Sequence, residues 1–471
     1  MRSFWALLSV LAVVPCASAD TIVLKNGRRI VAESVTEEEQ RVVYETREGR
    51  FTLPRSIVAK VDRDGVLPGP SLGDNETRRA GAPVPSLKVS VHPGRVVVDG
   101  KVDRRYLEEM AGQPVLSSAG RRLLVGSFLA AVEYEINQGR LDSALELARR
   151  GARAAPDEPE MLLAQAVVLM QKQEYPQARE VLLRARALAP DSAQILKFLG
   201  FAEYSSDRLD DAVKTWKKSL SLAPDQDVQL LLEKAQRETA AEERYLEAAS
   251  SHFTLRFEGR QISPAFQHEL LDTLEAHFRQ LERDLEVSPR QSITVILYTN
   301  QAFRDVTQAP EWADALFDGK MRIPVEGLSG VTPEMASVLK HEMTHSFVQF
   351  RSRGRCPVWL QEGLAQVEEG RTSVGFAPRM LEMWRANKTR GLPALEEPFR
   401  GLPPEAVRFA YQISLASVEM LRHRYGMPDL GRLLDRLSAG DSPEAALRAT
   451  LHLSYSEMEQ ELAEYLQRKA R

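Results

Sequence analysis

The chain carries the run His341-Glu342-Met343-Thr344-His345, and Glu362 follows within Pro357-Val-Trp-Leu-Gln-Glu-Gly-Leu-Ala365. Two side chains four positions apart on an α-helix differ by roughly 40° around its axis, so both imidazoles leave the same face. They can therefore bind one Zn²⁺, with Glu342 close enough to take a proton from a metal-bound water. Glu362, on a second helix, is the candidate third ligand. The run predicts a metal-binding helix and hydrolytic chemistry.

The residues around this run predict a mixed α and β domain over 250–471. Hydrophobic patterning predicts a strand, an amphipathic helix, a second strand and a short third strand, at 252–257, 264–285, 292–298 and 318–325. We expect the third strand at a sheet edge, because Pro324 cannot donate a ladder hydrogen bond. The metal-binding helix is predicted from about Pro333 to Arg351, and Pro357 suits the first turn of the next helix.

A second pattern recurs every 34 residues between 122 and 230. Ala-Pro-Asp stands at 155–157, 189–191 and 223–225, and an alanine recurs with the same period at Ala144, Ala178 and Ala212. This period, with a small residue at a helix crossing and a closing proline, resembles the tetratricopeptide repeat. Three such helix pairs are about the minimum for a stable stack. Two roles stay open for the array: a groove that binds a peptide or partner protein, and an intramolecular spacer.

The rest of the chain predicts three further segments. Residues 1–19 combine a basic start, an apolar stretch and Ala17-Ser18-Ala19, which is typical of a signal peptide for export. Residues 20–65 alternate apolar and polar positions and resemble small SH3-like or Sm-like β-modules, so we expect a barrel-like fold. Residues 66–121 predict a linker and an unassigned short β segment, and 231–249 predict a connecting helix.

Composition excludes several classes of protein. A net charge of −4 gives no basic field for nucleic acid, and no other segment reaches the length of a transmembrane helix. Of the two cysteines, Cys16 lies in the predicted signal, so Cys356 has no partner for an internal disulfide. Pro15 disfavours lipid anchoring through Cys16, where a small residue would be expected. We expect a periplasmic or extracellular protein.

Residues 250–471 resemble the gluzincin metallopeptidases, specifically the peptidase-MA-like domains of exported bacterial proteins that often follow tetratricopeptide repeats. The matching elements are Asp318-Gly319, Arg322-Ile323-Pro324, Leu339 to His345, Pro357 to Ala365, Ala410-Tyr411-Gln412-Ile413-Ser414 and Tyr425-Gly426. The resemblance implies a helix-rich zincin fold with a small sheet whose edge strand holds substrate. The whole chain is then a multidomain α+β protein with a β-module, a helical solenoid and a C-terminal zincin domain.

The resemblance also implies a role for each residue of the site. His341, His345 and Glu362 are the implied ligands of one zinc ion per chain, and Glu342 is the implied general base. Tyr411 is a candidate donor to the oxyanion, with a core or groove position as its alternative. His423 could play the same part, but its arginine neighbours indicate a surface residue.

One position departs from the family pattern. Some gluzincins carry an acidic residue one turn after the third ligand, and this chain has Gln366 there. Glu369 is then a candidate to orient a histidine instead. Cys356 is more simply a packed thiol than a ligand.

These inferences predict an exported zinc metallopeptidase that hydrolyses a peptide or protein substrate, with a partner or substrate recruited by the repeats. The alternative is a cell-envelope scaffold that binds partners through its repeats and carries a structural or inactive zincin domain. The sequence gives no cleavage specificity and no oligomeric state.

Overall fold

The structure is a computed structural model that describes residues 20–62 and 96–470, apart from 25–28, 33, 39–40, 47–48, 114–116, 260, 309–314, 386–390 and 400–403. The predicted signal peptide with Cys16 and the Pro/Gly-rich part of the predicted linker lie outside the described residues. Within them, every helix is too short or too polar to cross a bilayer.

The N-terminal module consists of short antiparallel strands. One sheet contains β1 (Asp20–Leu24), β2 (Arg29–Ala32) and β6 (Val58–Asp62), and the other contains β3 (Ser34–Glu37), β4 (Arg41–Thr46) and β5 (Gly49–Pro54). A small core of Ile22, Val35, Val42 and Val58 lies within the module. The two sheets share no ladder in the described residues, so the expected barrel-like closure is wrong.

A hairpin of β7 (Val97–Val98) and β8 (Lys101–Val102) and the helix α1 (Arg104–Ala111) precede the array. The array is built from helix pairs that run α2 (Ser118–Asn137), α3 (Leu141–Ala154), α4 (Pro159–Gln171), α5 (Tyr175–Leu188), α6 (Ala193–Ser205) and α7 (Leu209–Leu222). Ala144, Ala178 and Ala212 are fully buried where the helices cross. The predicted period of 34 residues is therefore the structural repeat.

The array ends in α8 (Gln226–Glu242), whose N-cap Asp225 accepts from the amide of Val228. The predicted connecting helix over 231–249 is therefore only partly right. After Glu242 the chain turns and forms β9 (Tyr245–Ala249), which pairs antiparallel with β10 (Phe253–Glu258). Pairing with a strand formed by later residues outweighs the local helical pattern.

The C-terminal domain contains a five-stranded mixed sheet in the order β12-β13-β11-β10-β9. Its remaining strands are β11 (Ile293–Tyr298), β12 (Leu316–Phe317) and β13 (Met321–Pro324). β10, β11 and β13 run parallel, and β12 pairs back on β13 as a hairpin. The helix α9 (Pro264–Leu285) connects β10 to β11, and α10 (Asn300–Thr307) follows β11.

The short third strand is not the edge of the sheet, as the sequence predicted. β12 pairs with Met321 and Arg322 only, so Pro324 lies beyond its last partner on that side. On the other side Pro324 is in register with Tyr298. The missing amide of Pro324 is accommodated because β12 is short, and β12 itself forms the edge.

The sheet is the middle layer of three. One face packs Val295, Leu297, Met321 and Ile323 into the main core with α9 and the helix α11 (Pro333–Ser352). The other face carries Ile296, Tyr298 and Leu316, and it packs with α10 and Tyr245. Further helices complete the domain: α12 (Val358–Glu368), α13 (Ala377–Arg385), α14 (Pro404–Tyr425), α15 (Met427–Ser438), α16 (Pro443–Leu451) and α17 (Tyr455–Lys469).

A glycine sets the distance between α12, which carries Glu362, and α14. A Cβ on Gly363 would clash with the backbone oxygen of Ser414 and with the side chain of Val418, both of which are buried. A backbone oxygen within a helix cannot move aside on its own. The helix that carries Glu362 is therefore held in place by backbone-to-backbone approach.

We expect Gly363→Ala to destabilise the protein by about 1–3 kcal/mol, because the added methyl overpacks this helix crossing. Urea denaturation of wild type and variant measures the change in the free energy of unfolding. Gly375→Ala is the matched control, since a Cβ there meets open space. Equal stability of the two variants would contradict this account of the α12–α14 contact.

Candidate metal centre

The metal-binding helix predicted from sequence is α11. It begins after the N-cap Thr332, whose side chain accepts from the amide of Met335, and Pro333 occupies its first turn. Its C-terminus is closed by Arg353 and Gly354, both with positive φ. The helix packs against α9 on one side and α12 on the other. Packing against these helices removes the polar residues His341, Glu342 and His345 in the middle of α11 from solvent.

The structure brings the four predicted residues together. His341, Glu342 and His345 are each 0% exposed, and Glu362 on α12 is 1% exposed. The Nε2 atom of His341 lies 3.7 Å from Glu362 Oε2, and the Nε2 atom of His345 lies 3.8 Å from Glu362 Oε1. Two donors of a tetrahedral zinc site, each bound at its usual bond length, lie roughly 3.4 Å apart. These separations therefore suit ligands of one ion.

Among the described residues, the Nε2 atoms of the two histidines have no hydrogen-bond partner. Both atoms are buried and unsatisfied, which is costly for polar groups removed from water. His341, Glu342 and His345 also each offer a ligand atom within 4.8 Å of the others. Two imidazoles and a carboxylate are a donor set that Zn²⁺ prefers. The residues present therefore fit the predicted zinc ion.

Each histidine is oriented through its other ring nitrogen. Nδ1 of His341 lies 2.9 Å from Glu369 Oε2, and Glu369 in turn accepts from Arg371 Nε at 3.0 Å. Nδ1 of His345 lies 3.2 Å from the side-chain nitrogen of Gln361. The contact expected of Glu369 is confirmed. The parts played by Gln361 and Arg371 were missed, and no spacing rule in the sequence would have indicated either.

Gln366, the residue that departs from the family pattern, has a different task. Its side-chain nitrogen donates to the backbone oxygens of Glu362 at 3.2 Å and Tyr411 at 3.0 Å. It thereby ties α12 to α14 close to Glu362. An amide can make this contact with two carbonyls, whereas a carboxylate cannot donate to them. The orienting carboxylate then comes from Glu369, further along the chain.

The electrostatics of the site follow from its burial. Burial opposes charge on His341, but the carboxylates of Glu362 and Glu369 outweigh it and raise the pKa of His341 to about 10. Burial, together with the charge on His341, lowers the pKa of His345 to about 4. Burial raises the pKa of Glu342 to about 8, although the charge on His341 opposes this. Without metal, His341 therefore carries the compensating positive charge.

The β12–β13 hairpin lies against this helix. β12 packs on α11, and the backbone N–H of Phe317 faces the Glu342 carboxylate, which counteracts part of the rise in its pKa. Phe317 and Leu316 are both buried. The edge strand of the sheet is thus next to the predicted general base.

Tyr411, His423 and Cys356 are the remaining candidates. Tyr411 is buried on α14 and packs edge to face on Phe399, with ring centroids 5.3 Å apart. Its role as an oxyanion donor stays a prediction. His423 is exposed and lies near the ring of Tyr465, as expected of a surface residue. Cys356 is buried in the main core, as expected of a packed thiol.

Comparison with known proteins bears on the array. The tetratricopeptide repeat family model matches residues 129–193 and 163–227. No curated protein sequence matches the chain.

Solved structures with a likeness to the chain include the following three proteins. The first tetratricopeptide domain of Spaghetti (RPAP3), bound to an HSP90 peptide, is 20% identical with a TM-score of 0.25, covering 27% of this chain and 99% of that chain. A thermophilic tetratricopeptide protein of Thermus thermophilus is 23% identical with a TM-score of 0.22, covering 28% and 70%. An O-GlcNAc transferase mutant of Thermobaculum terrenum is 16% identical with a TM-score of 0.24, covering 49% and 45%.

The family model and the helix pairs together assign one part of the chain. The two matches overlap and cover 129–227, which runs from within α2 to the start of α8 and includes the 34-residue period. Residues 129–227 form an array of tetratricopeptide repeats.

Proposed function

We propose that this chain is an exported zinc-dependent peptidase whose tetratricopeptide array serves a peptide or protein partner. The observation that carries the proposal is the convergence of His341 Nε2, His345 Nε2 and the Glu362 carboxylate in a buried site. Buried ring nitrogens without a hydrogen-bond partner among the described residues, as at the two Nε2 atoms, are rare unless a site has a use for them. The contact of His341 Nδ1 with the Glu369 carboxylate is the kind that supports a metal-ligating histidine, because the second ring N–H donates to an acceptor.

The residues of the site would divide the work as follows. His341, His345 and Glu362 would hold the ion, which when bound supplies Lewis-acid chemistry and activates water. Glu342 would accept a proton from the attacking water and pass it to the leaving amine. Glu369 would fix the ring of His341 so that its Nε2 atom faces the site. Tyr411 is the proposed donor to the developing oxyanion.

The second candidate is a scaffold that binds partners through its repeats, with a structural or inactive zincin domain. A family model matches the repeats, and arrays of this kind commonly bind proteins through extended surfaces. Turnover of a peptide library by the zinc-loaded full chain distinguishes the two. Cleavage supports the peptidase. Stable partner binding without cleavage supports the scaffold.

We expect Glu342→Gln to lower peptide turnover by about a hundredfold or more, because the amide cannot accept the proton. Zinc content should stay at the wild-type value, since the proposed ligands remain. Glu334→Gln is the matched control: it removes an exposed carboxylate from the first turn of the same helix. Turnover in Glu342→Gln equal to that in Glu334→Gln would sink the assigned role.

Zinc binding should depend on pH through His341. Its pKa is raised to about 10 in the metal-free protein, so the stabilisation from its protonated ring is complete below its ordinary pKa and is lost as pH rises through 10. A ligating histidine must be neutral, so zinc binding near pH 7 should release about one proton, and the affinity should rise by about tenfold for each unit by which pH rises. Calorimetric titration in two buffers of different ionisation enthalpy measures the release. A pH-independent affinity without proton release would contradict the assignment of His341.

A further inference from the structure

The turns inside the three repeats have a common geometry. Each helix pair is joined at a residue with positive φ: Gly139, Gln173 and Asp207, with φ of 72°, 61° and 61°. These positions are separated by the 34-residue period. Because the period is the structural repeat, the three turns lie along one edge of the array. We call this the turn edge.

All three residues of the turn edge contact the C-terminal domain. A Cβ on Gly139 would clash with the backbone of Ala439, so the two backbone segments approach closely there. Gln173 donates to the backbone oxygen of Gln349, on the metal-binding helix, at 3.4 Å, and it accepts from Gln291 at 3.2 Å. The turn edge of the repeats therefore makes contacts with another part of the same chain.

The third turn enters a cluster of buried charges. The Asp207 carboxylate lies 2.7 Å from Lys320 Nζ, in the turn of the β12–β13 hairpin, and 2.9 Å from Arg256 Nη1, on β10. It keeps 24% side-chain exposure, so it lies at the rim of the cluster.

The last helix of the array supplies the centre of this cluster. Glu238 on α8 lies 2.9 Å from Arg322 Nη2, and both side chains are 0% exposed. Lys234, one turn earlier, donates to Asp318 at 2.7 Å. Arg322 also binds Asp318 within the hairpin, at 2.9 Å. Two charges from the array thus face two charges of the β12–β13 hairpin, away from water.

Removing one partner from such a cluster leaves an uncompensated buried charge, which is strongly destabilising. The hairpin can therefore keep its place only while α8 supplies Glu238 and Lys234. The same hairpin carries β12, which packs on the metal-binding helix beside Glu342. A physical connection thus runs from the array through the hairpin to the site.

We propose that Glu238 is a positioning residue of the metal site: the array holds the β12–β13 hairpin against Glu342 and so belongs to the framework of the site. The expected effect of Glu238 on turnover rests on the proposed function. Its expected effect on the position of the hairpin does not. The array then has an intramolecular task at its turn edge, whatever its other surfaces bind.

The test is Glu238→Gln in the full chain, with Glu233→Gln as the matched control on the exposed face of the same helix. Hydrogen exchange followed by mass spectrometry reports on residues 316–324 without requiring activity. We expect exchange there to rise by at least about a hundredfold in Glu238→Gln, because loss of one partner of a buried ion pair is strongly destabilising. Exchange over 339–352 and zinc content should match the control, and kcat should fall more than KM rises.

Three results would overturn the inference. Exchange over 316–324 equal to that in Glu233→Gln would show that the cluster does not hold the hairpin. A uniform rise that includes 339–352, with loss of zinc, would show a general structural role. A loosened hairpin with unchanged kcat would show that its position is irrelevant to the reaction. If the wild type cleaves no peptide, the proposed function fails while exchange still decides the hairpin's attachment.

Asp207→Asn covers the case in which Glu238→Gln does not fold, because Asp207 lies at the rim of the cluster and its loss costs less. It should raise exchange over 316–324 by a smaller factor, in the same segment alone. Wild-type exchange in Asp207→Asn would overturn the inference equally.

Discussion

Compensation of buried charge is the constraint on which this structure depends. Glu342, Glu362 and Glu369 surround two imidazoles in a site removed from water. Carboxylates in such a place need a positive partner. In the metal-free protein the raised pKa of His341 supplies one positive charge. A divalent cation would supply more and would occupy the space between the unsatisfied nitrogens. The residues of the site therefore suit a cation, as the proposed function requires.

The same constraint joins the two large parts of the chain. Glu238 and Lys234 belong to the array, whereas Arg322 and Asp318 belong to the β12–β13 hairpin, and all four side chains are buried at their ion pairs. The second face of the sheet is covered by the end of the array as a result. The sheet lies between the repeats and the metal-binding helix, in contact with both. The array therefore has contacts inside the chain, and these leave its other surfaces available to bind a partner.

Local sequence patterns predicted the features that depend on residues close together in the chain. The spacing of His341 and His345 fixes their common face on any helix, and the 34-residue period fixes the helix pairs. Glu369 could be named as a candidate because it follows Glu362 closely. The contacts of Gln361 and Arg371 depend on side-chain directions that spacing does not determine. The pairing of Glu238 with Arg322 joins residues far apart in the chain, and no local signal marks them. β9 and the separate N-terminal sheets were missed because strand pairing is decided by distant partners.

The central claim is that His341, His345 and Glu362 form a zinc site. Metal analysis of the purified full chain, wild type against His345→Ala, tests it most directly. The account predicts one equivalent of zinc in the wild type and its loss in the variant, with the helical content of both unchanged. A folded, zinc-supplemented wild type that retains no metal would contradict it.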